Sequence, residues 1–190
     1  MSKKVFVFLA PGFEEVEAII PLDFLRRAGA QVTSIAVHTD RLVRGSHDIP
    51  IMADMLISEA DETDGDCIVL PGGMPGSTNL AASEELDRII RKYDAERKLV
   101  CAICAAPAVV LGSKGILDGR MFTCYPGAEA NVRCGSGGCA EWSAEKVVVD
   151  EHLITSRGAG TAALFAVKII EKLFDKTLAG KIAEQTLLHL

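Results

Sequence analysis

The chain has 190 residues, 49% hydrophobic and 24% charged, which suits a single globular domain over 1–190 with a sizeable core. Its formal charge of -6, without a block of Lys or Arg, argues against nucleic acid, and one Trp with two Tyr supplies no base-stacking platform. No apolar run approaches the ~20 residues of a membrane span, so the expectation is a cytoplasmic protein, off the membrane, whose six cysteines are mostly reduced thiols.

Val5–Leu9 follows two lysines and is followed at once by acidic residues, so it reads as a first core strand rather than a signal-peptide core. Phe13–Ala28 reads as a helix. Residues Phe13, Val16, Ile20, Phe24 and Ala28 form an apolar stripe at three-and-four spacing, with Glu17 in its middle and Glu14 and Glu15 pointing elsewhere. A carboxyl on a buried face is costly when ionised, so Glu17 is expected to hold its proton; the alternative is a side chain reaching solvent at the first turn. Pro21 lacks the N–H that would bond the Glu17 carbonyl and should bend this helix.

Val32–Val37 and Cys67–Leu70 read as further strands, and Glu84–Ala95 as a helix. The strands lack clean period-two alternation, as strands covered on both faces do, which points to a parallel sheet between helices. After Leu70, the run Pro71-Gly72-Gly73-Met74-Pro75-Gly76 is either an ordinary turn or a nest of backbone N–H groups suited to an oxyanion. No Gly-Lys-Ser/Thr follows, so it is not a phosphate-binding Walker loop.

Leu99–Ile103 reads as a strand and Pro107–Gly112 as a helix, which puts Cys104 on the corner between them. A side chain on such an elbow stands exposed above the sheet, and the free N–H groups of the next helix should lower its thiol pKa. The alternative is a buried structural cysteine. Cys101 completes a C-x-x-C but lies inside the strand and is expected to be inert.

Met121–Ser143 is irregular and rich in glycine; its Cys134 and Cys139 suit a disulfide or a metal. Val147–Val149 and Leu153–Thr155 are too close for a crossover helix and should pair as an antiparallel hairpin at one end of the sheet. Thr161–Phe174 and Leu178–Leu188 read as helices. Ser156-Arg157-Gly158-Ala159-Gly160-Thr161 has only a superficial likeness to a dinucleotide fingerprint, since Ala163 stands where a third glycine would. The pattern gives a doubly wound, mostly parallel α/β sheet, with its ligand crevice at the strand C-termini: Ala10–Phe13, Pro71–Pro75, Cys104–Pro107 and Ser156–Gly160. None of the histidines, 38, 47, 152 and 189, lies in those loops, so a Cys–His dyad has no base. No metal and no cofactor is expected.

Gly12-Phe13-Glu14-Glu15-Val16-Glu17, Leu70-Pro71-Gly72-Gly73, Ala102-Ile103-Cys104-Ala105-Ala106-Pro107 and Thr155-Ser156-Arg157-Gly158-Ala159-Gly160-Thr161, in this order over nearly the whole chain, resemble the DJ-1/ThiJ/PfpI superfamily in its DJ-1-like branch. The resemblance implies a flavodoxin-like sandwich, usually a homodimer, with Cys104 as reactive cysteine and Glu17 as its protonated neighbour. It implies backbone donors at Gly73 and Ala105, with Gly72 beside them, and places Arg27 and Ser156 near the site or the dimer face. It implies a glutathione-independent glyoxalase or deglycase acting on small dicarbonyls or glycation adducts, or else an oxidative-stress sensor or chaperone. Tyr125, in Phe122-Thr123-Cys124-Tyr125-Pro126, stands where some members carry a histidine, and Cys124 is then a candidate resolving thiol. Ala106 after the elbow resembles the bacterial members.

Overall fold

The structure is a computed structural model that describes residues 2–60 and 64–189. A seven-stranded sheet forms its centre. The first strands are β1 (Lys4–Leu9), β2 (Gln31–Ala36), β3 (Leu42–Arg44), β4 (Pro50–Met52), β5 (Met55–Leu56), β6 (Cys67–Leu70) and β7 (Leu99–Ile103). They are followed by β8 (Met121–Phe122), β9 (Glu141–Trp142), β10 (Val147–Asp150) and β11 (Leu153–Ser156). The sheet order is β10-β11-β7-β6-β1-β2-β5, parallel throughout except for the β10–β11 hairpin at its end. This is the doubly wound sheet with one antiparallel hairpin that the strand pattern predicts. From β1 the chain moves outward to β2 and β5, then returns to β6 on the other side, so the strand order reverses between β1 and β6. Ligand crevices of open α/β sheets form at such a reversal.

Alternate residues of β1 feed two cores. Val5, Val7 and Leu9 pack on one face against α1 (Glu15–Arg27), α4 (Ala162–Leu173) and α5 (Lys176–Gln185); Phe8 and Ala10 pack on the other, with Leu86, Ile90 and Tyr93 of α3 (Glu84–Ala95). Each fully buried Leu, Ile or Phe contributes about 1.5–3 kcal/mol, and both faces are covered, which is why the strands read as continuous apolar runs. The helix α3 starts where Ser83 accepts the Leu86 N–H at 3.2 Å, with Glu84, Glu85 and Asp87 on its positive first turn. Among the described residues, no helix is long and apolar enough to cross a membrane.

Several elements depart from the sequence pattern. The stripe proposed for α1 holds except at Val16: Phe13, Phe24 and Ala28 are buried and Ile20 packs on the core, but Val16 is 43% exposed, and the buried face also takes in Ala18, Pro21, Leu22, Leu25 and Glu15, which the pattern points elsewhere. Contact with α4 as well as the sheet widens the buried face, so periodicity about one apolar stripe captures only part of it. The helix runs through Pro21 and ends at Arg27. The helix α5 begins at Lys176, because Asp175 caps it by accepting the Leu178 N–H at 2.8 Å. The short helix α2 (Gly76–Ala82) and the β3–β4 hairpin lie in stretches with no helical or strand pattern to read. After Cys104 the chain makes a five-residue π-helical turn, Pro107–Leu111, continued by a tighter turn to Lys114. The irregular stretch carries the β8–β9 pair and a Cys134–Cys139 disulfide, so these two cysteines are not reduced thiols.

Candidate active site

Four loops meet above the reversal point. Cys104 sits directly after β7 with φ 65°, in the left-handed region that a non-glycine residue seldom occupies. Two backbone bonds hold it there: its N–H donates to the Ser156 carbonyl at 2.9 Å, and its own carbonyl accepts the Tyr125 N–H at 2.8 Å. The turn raises the side chain off the sheet, and the residue is half-buried, while Cys67, Cys101 and Cys124 are fully buried.

Glu17 comes from the first turn of α1. The Glu14 carboxylate caps this turn by accepting the Glu17 N–H at 2.7 Å. The Glu17 side chain is 0% exposed. Its Oε2 accepts the Gly72 N–H at 2.9 Å, whereas Oε1 is buried and has no well-formed hydrogen bond among the described residues. Gly72 is required by crowding: a Cβ there would lie 2.5 Å from Cys104 Cβ and 2.7 Å from Glu17 Oε2. Glycine here lets carboxyl and sulfur share one space. Gly73, at φ +87°, turns its N–H toward the sulfur, where it joins the N–H of Ala105.

Burial pushes the Glu17 carboxyl from its ordinary 4.5 up to about 7, opposed by the Cys104 thiol and the Gly72 N–H acting as donors. Burial and then the negative charge of Glu17 push the Cys104 thiol from 9.0 up to about 12, opposed by the N–H groups of Gly73 and Ala105. The sequence reading expects a lowered thiol pKa, and the direction here is the reverse. The sulfur is half-buried, which disfavours the thiolate, the ionised Glu17 carboxyl beside it adds to this, and the following helical turn is short. Glu17 and Cys104 therefore compete for a single proton: a thiolate forms when that proton sits on Glu17.

The other candidates are distributed unevenly. Tyr125 is 56% exposed and lies at the mouth, its ring 3.6 Å from where a Cβ on Gly158 would stand; Glu17 Oε1 is 3.8 Å from the same point. Ser156 reaches the site through its carbonyl, while its hydroxyl is engaged by the Lys146 carbonyl and Thr161. Arg27 lies at the far end of α1, bonded to Asp23 at 2.7 Å, and is not brought to Cys104. Cys124 packs in the core on the opposite face of the sheet from Cys104, with its sulfur directed to the Tyr125 carbonyl and Glu129. That placement does not favour a resolving thiol. Cys101 lies in the interior with its sulfur 3.6 Å from Cys67, not paired with Cys104.

The sequence reading overlooks Glu15. This buried carboxylate accepts the His47 N–H at 2.7 Å and bonds His47 Nδ1 at 2.8 Å. Burial works to raise its pKa, but the bonds from His47 and Ile49 prevail and lower it. No periodicity marks a contact between residues 15 and 47. Glu14, Glu15 and His47 bring ligand atoms within 4.8 Å of one another, yet the two carboxylates already serve the helix cap and the His47 loop. A cavity of about 910 Å³ opens on the other side of Pro11, between His38, Asn79 and Arg88, and does not include Cys104.

Residues 3–172 match the model of the DJ-1/PfpI family. Protein DJ-1 homolog B of Arabidopsis thaliana is 37% identical over 182 residues, 96% of this chain and 41% of that protein, so the chain spans less than half of that relative. Protein dj-1beta of Drosophila melanogaster is 38% identical over 184 residues, covering 97% of this chain and 96% of its own. The Glutathione-independent glyoxalase DJ-1 of Schizosaccharomyces pombe is 29% identical over 181 residues, 91% of this chain and 92% of that protein. Among solved structures, a mutant of a DJ-1 superfamily protein from Salmonella typhimurium superposes with a TM-score of 0.93 at 39% identity, covering 99% of this chain and 100% of the other. Oxidized DJ-1 of Toxoplasma gondii gives 0.92 at 38% identity, with both chains covered at 100%. Matched by the family model over nearly its whole length and 38% identical to a relative that it covers almost end to end, the chain belongs to the DJ-1/PfpI family.

Proposed function

We propose that the chain is a stress-protection enzyme of the DJ-1 type, a glutathione-independent glyoxalase that uses Cys104 as nucleophile on small dicarbonyls in the cytoplasm. The observation that carries this reading is the Glu17–Cys104 pair: a fully buried carboxyl with one unpartnered oxygen, beside a sulfur that faces two backbone N–H groups. The name of the Schizosaccharomyces pombe relative supports the same reaction class.

With methylglyoxal, the thiol proton passes to the Glu17 carboxylate and the sulfur adds to the aldehyde carbon. The resulting oxyanion is held by the N–H groups of Gly73 and Ala105 and takes the proton back from Glu17. Glu17 then removes the hydrogen on that carbon and delivers it to the neighbouring ketone carbon, while the hydroxyl proton moves to the ketone oxygen. The product is a lactyl thioester of Cys104, which water hydrolyses to lactate and free thiol. A carboxyl pushed up to about 7 is suited to taking and giving a proton near neutrality. The same sulfur acting on the hemithioacetals and related adducts of early glycation gives the deglycase form of this reading.

A second reading, oxidation sensing, rests on Glu17 Oε1. When protonated, this oxygen has no competing partner and can donate to a sulfinate on Cys104. A homodimer is part of the proposal: Val16 and Ile19 on α1, with Leu42, Ile49 and Met52 around the β3–β4 hairpin, expose large apolar side chains. The test is lactate formation from methylglyoxal without glutathione. Cys104→Ala should abolish it, and Glu17→Gln should lower it by about 10²–10⁴-fold. Full activity of Cys104→Ala overturns the proposal; loss of Cys104 as the first residue oxidised by mild peroxide removes the second reading.

A further inference from the structure

Outside the Cys104 site, the exposed cysteines are Cys134 and Cys139, joined by a disulfide in the segment Arg133-Cys134-Gly135-Ser136-Gly137-Gly138-Cys139. We propose that the Cys134–Cys139 disulfide is a second redox centre, a thiol–disulfide exchange site whose reaction partner is a dithiol of the thioredoxin type.

Three observations carry this. Both cysteines are exposed, whereas Cys67, Cys101 and Cys124 are sealed in the core. An attacking thiolate needs a free line to a sulfur, and every residue from Arg133 to Cys139 is exposed. Second, the bond is a poor structural staple. It joins residues only five apart, so it removes little chain entropy from the unfolded state. The loop is also held by other means: the Gly135 and Gly138 N–H groups and carbonyls pair at 3.2 Å, and the Gly137 N–H donates to Asp118 Oδ2 at 3.3 Å. The fold is therefore retained when the bond opens. Third, the loop gives the reaction room and a charge. Gly135, Gly137 and Gly138 leave the ring without side chains, and exposed Arg133 precedes Cys134, where a cation favours the departing thiolate.

The exchange balances within the two partners. One thiolate of the dithiol attacks a loop sulfur; the S–S bond breaks and the other loop sulfur leaves as thiolate. The second thiol of the partner then attacks the mixed disulfide and frees the remaining loop sulfur. Two electrons pass from the dithiol to the loop, the two thiol protons end on Cys134 and Cys139, and the partner becomes a disulfide. Run backwards, the reduced loop reduces a disulfide substrate. None of this passes through Cys104.

The test uses the intact protein, equilibrated across ratios of dithiothreitol to its oxidised form, blocked with N-ethylmaleimide and read by peptide mass spectrometry over residues 133–140. The expected result is a single two-electron transition, with a tenfold change in the reductant ratio moving the reduced-to-oxidised ratio of the loop tenfold. The circular dichroism spectrum should not change across it. A thioredoxin variant without its second, resolving cysteine should attack the Cys134–Cys139 bond of the intact protein and be trapped as a mixed disulfide on the loop, while the Cys104 alkylation rate stays that of the untreated protein. The proposal is overturned if the protein purified without reductant carries two free thiols there. It is also overturned if reduction occurs only as the fold melts, or if thioredoxin leaves the disulfide intact.

Discussion

Replacing Glu17 with Gln should make the fold more stable above neutrality. The folded-state pKa of Glu17 is raised from 4.5 to about 7, so the native protein binds this proton more tightly than the unfolded chain does. Stability from this group is fully present below pH 4.5 and is lost as pH rises through about 7, a loss of about 3 kcal/mol once the carboxyl is ionised. Glutamine carries no such charge. Its amide oxygen retains the Gly72 N–H bond that is now 2.9 Å long, and its NH₂ occupies the place of the unpartnered Oε1. Any packing difference between the two side chains is the same at every pH, so the diagnostic quantity is the change in their stability difference. Between pH 5 and pH 8 that difference should move by about 2.5 kcal/mol in favour of Glu17→Gln. At roughly 2–4 °C per kcal/mol for a chain of this size, the relative melting temperature moves by roughly 5–10 °C. Urea unfolding of both proteins at the two pH values measures it directly. Cys104 does not interfere in this window, since its unfolded and folded values, 9.0 and about 12, both lie above it. A stability difference constant within about 1 kcal/mol would mean that Glu17 ionises as in water, and the shared-proton argument would fail with it.

Three further outcomes follow from the same geometry. Glyoxalase activity should rise through about pH 7 as the pair gives up its first proton, and then hold a plateau to pH 9 and beyond; an acid optimum would contradict this order of ionisation. Gly72→Ala places a methyl group 2.5 Å from Cys104 Cβ, so it should cost about 1–3 kcal/mol of stability and about 10² in turnover by parting sulfur and carboxyl, which differential scanning calorimetry and the lactate assay read separately. Ile19→Glu puts a charge on the exposed apolar face of α1; if the proposed homodimer uses this face, light scattering should give a dimer for the wild type and the 20.3 kDa chain for the variant, with the melting curve still cooperative.

The sheet was readable because both of its faces are buried. Val5–Leu9, Cys67–Leu70 and Leu99–Ile103 are unbroken apolar runs, and their alternation with helical patterns leaves few topologies. Cys104 was readable for a local reason, as a strand, small residues and a proline force a corner at that position. Glu17 was legible from the stripe through Phe13, Ile20, Phe24 and Ala28, which is buried except at Val16, and its carboxyl is enclosed by the Gly72 and Cys104 turns. What depends on contacts between distant segments could not be read. The Glu15–His47 bond joins residues 32 apart, and the β3–β4 hairpin is a short antiparallel pair standing apart from the main sheet. The direction of the Cys104 pKa belongs to the same class, because it is decided first by burial and then by a carboxyl brought from the first turn of α1. A short π-helical turn cannot outweigh that charge.

Three locally unfavourable choices coincide in one crevice: a left-handed cysteine, a buried carboxyl and an unpartnered oxygen. A non-glycine residue in that backbone region costs about 1–3 kcal/mol and persists only when its surroundings fix it. Here the fixing is explicit, because the Cys104 N–H is bonded to the end of β11 and its carbonyl to the loop after β8, at about 1 kcal/mol each. Those bonds run to Ser156 at the end of β11 and to Tyr125 in the loop after β8, both of which would have to move for the sulfur to relax. The strain is thus carried by the backbone, and the electrostatic conflict is carried by one proton between Glu17 and Cys104. The two can be separated by mutation. Altering the proton should leave the elbow standing, whereas altering Gly72 should disturb both together.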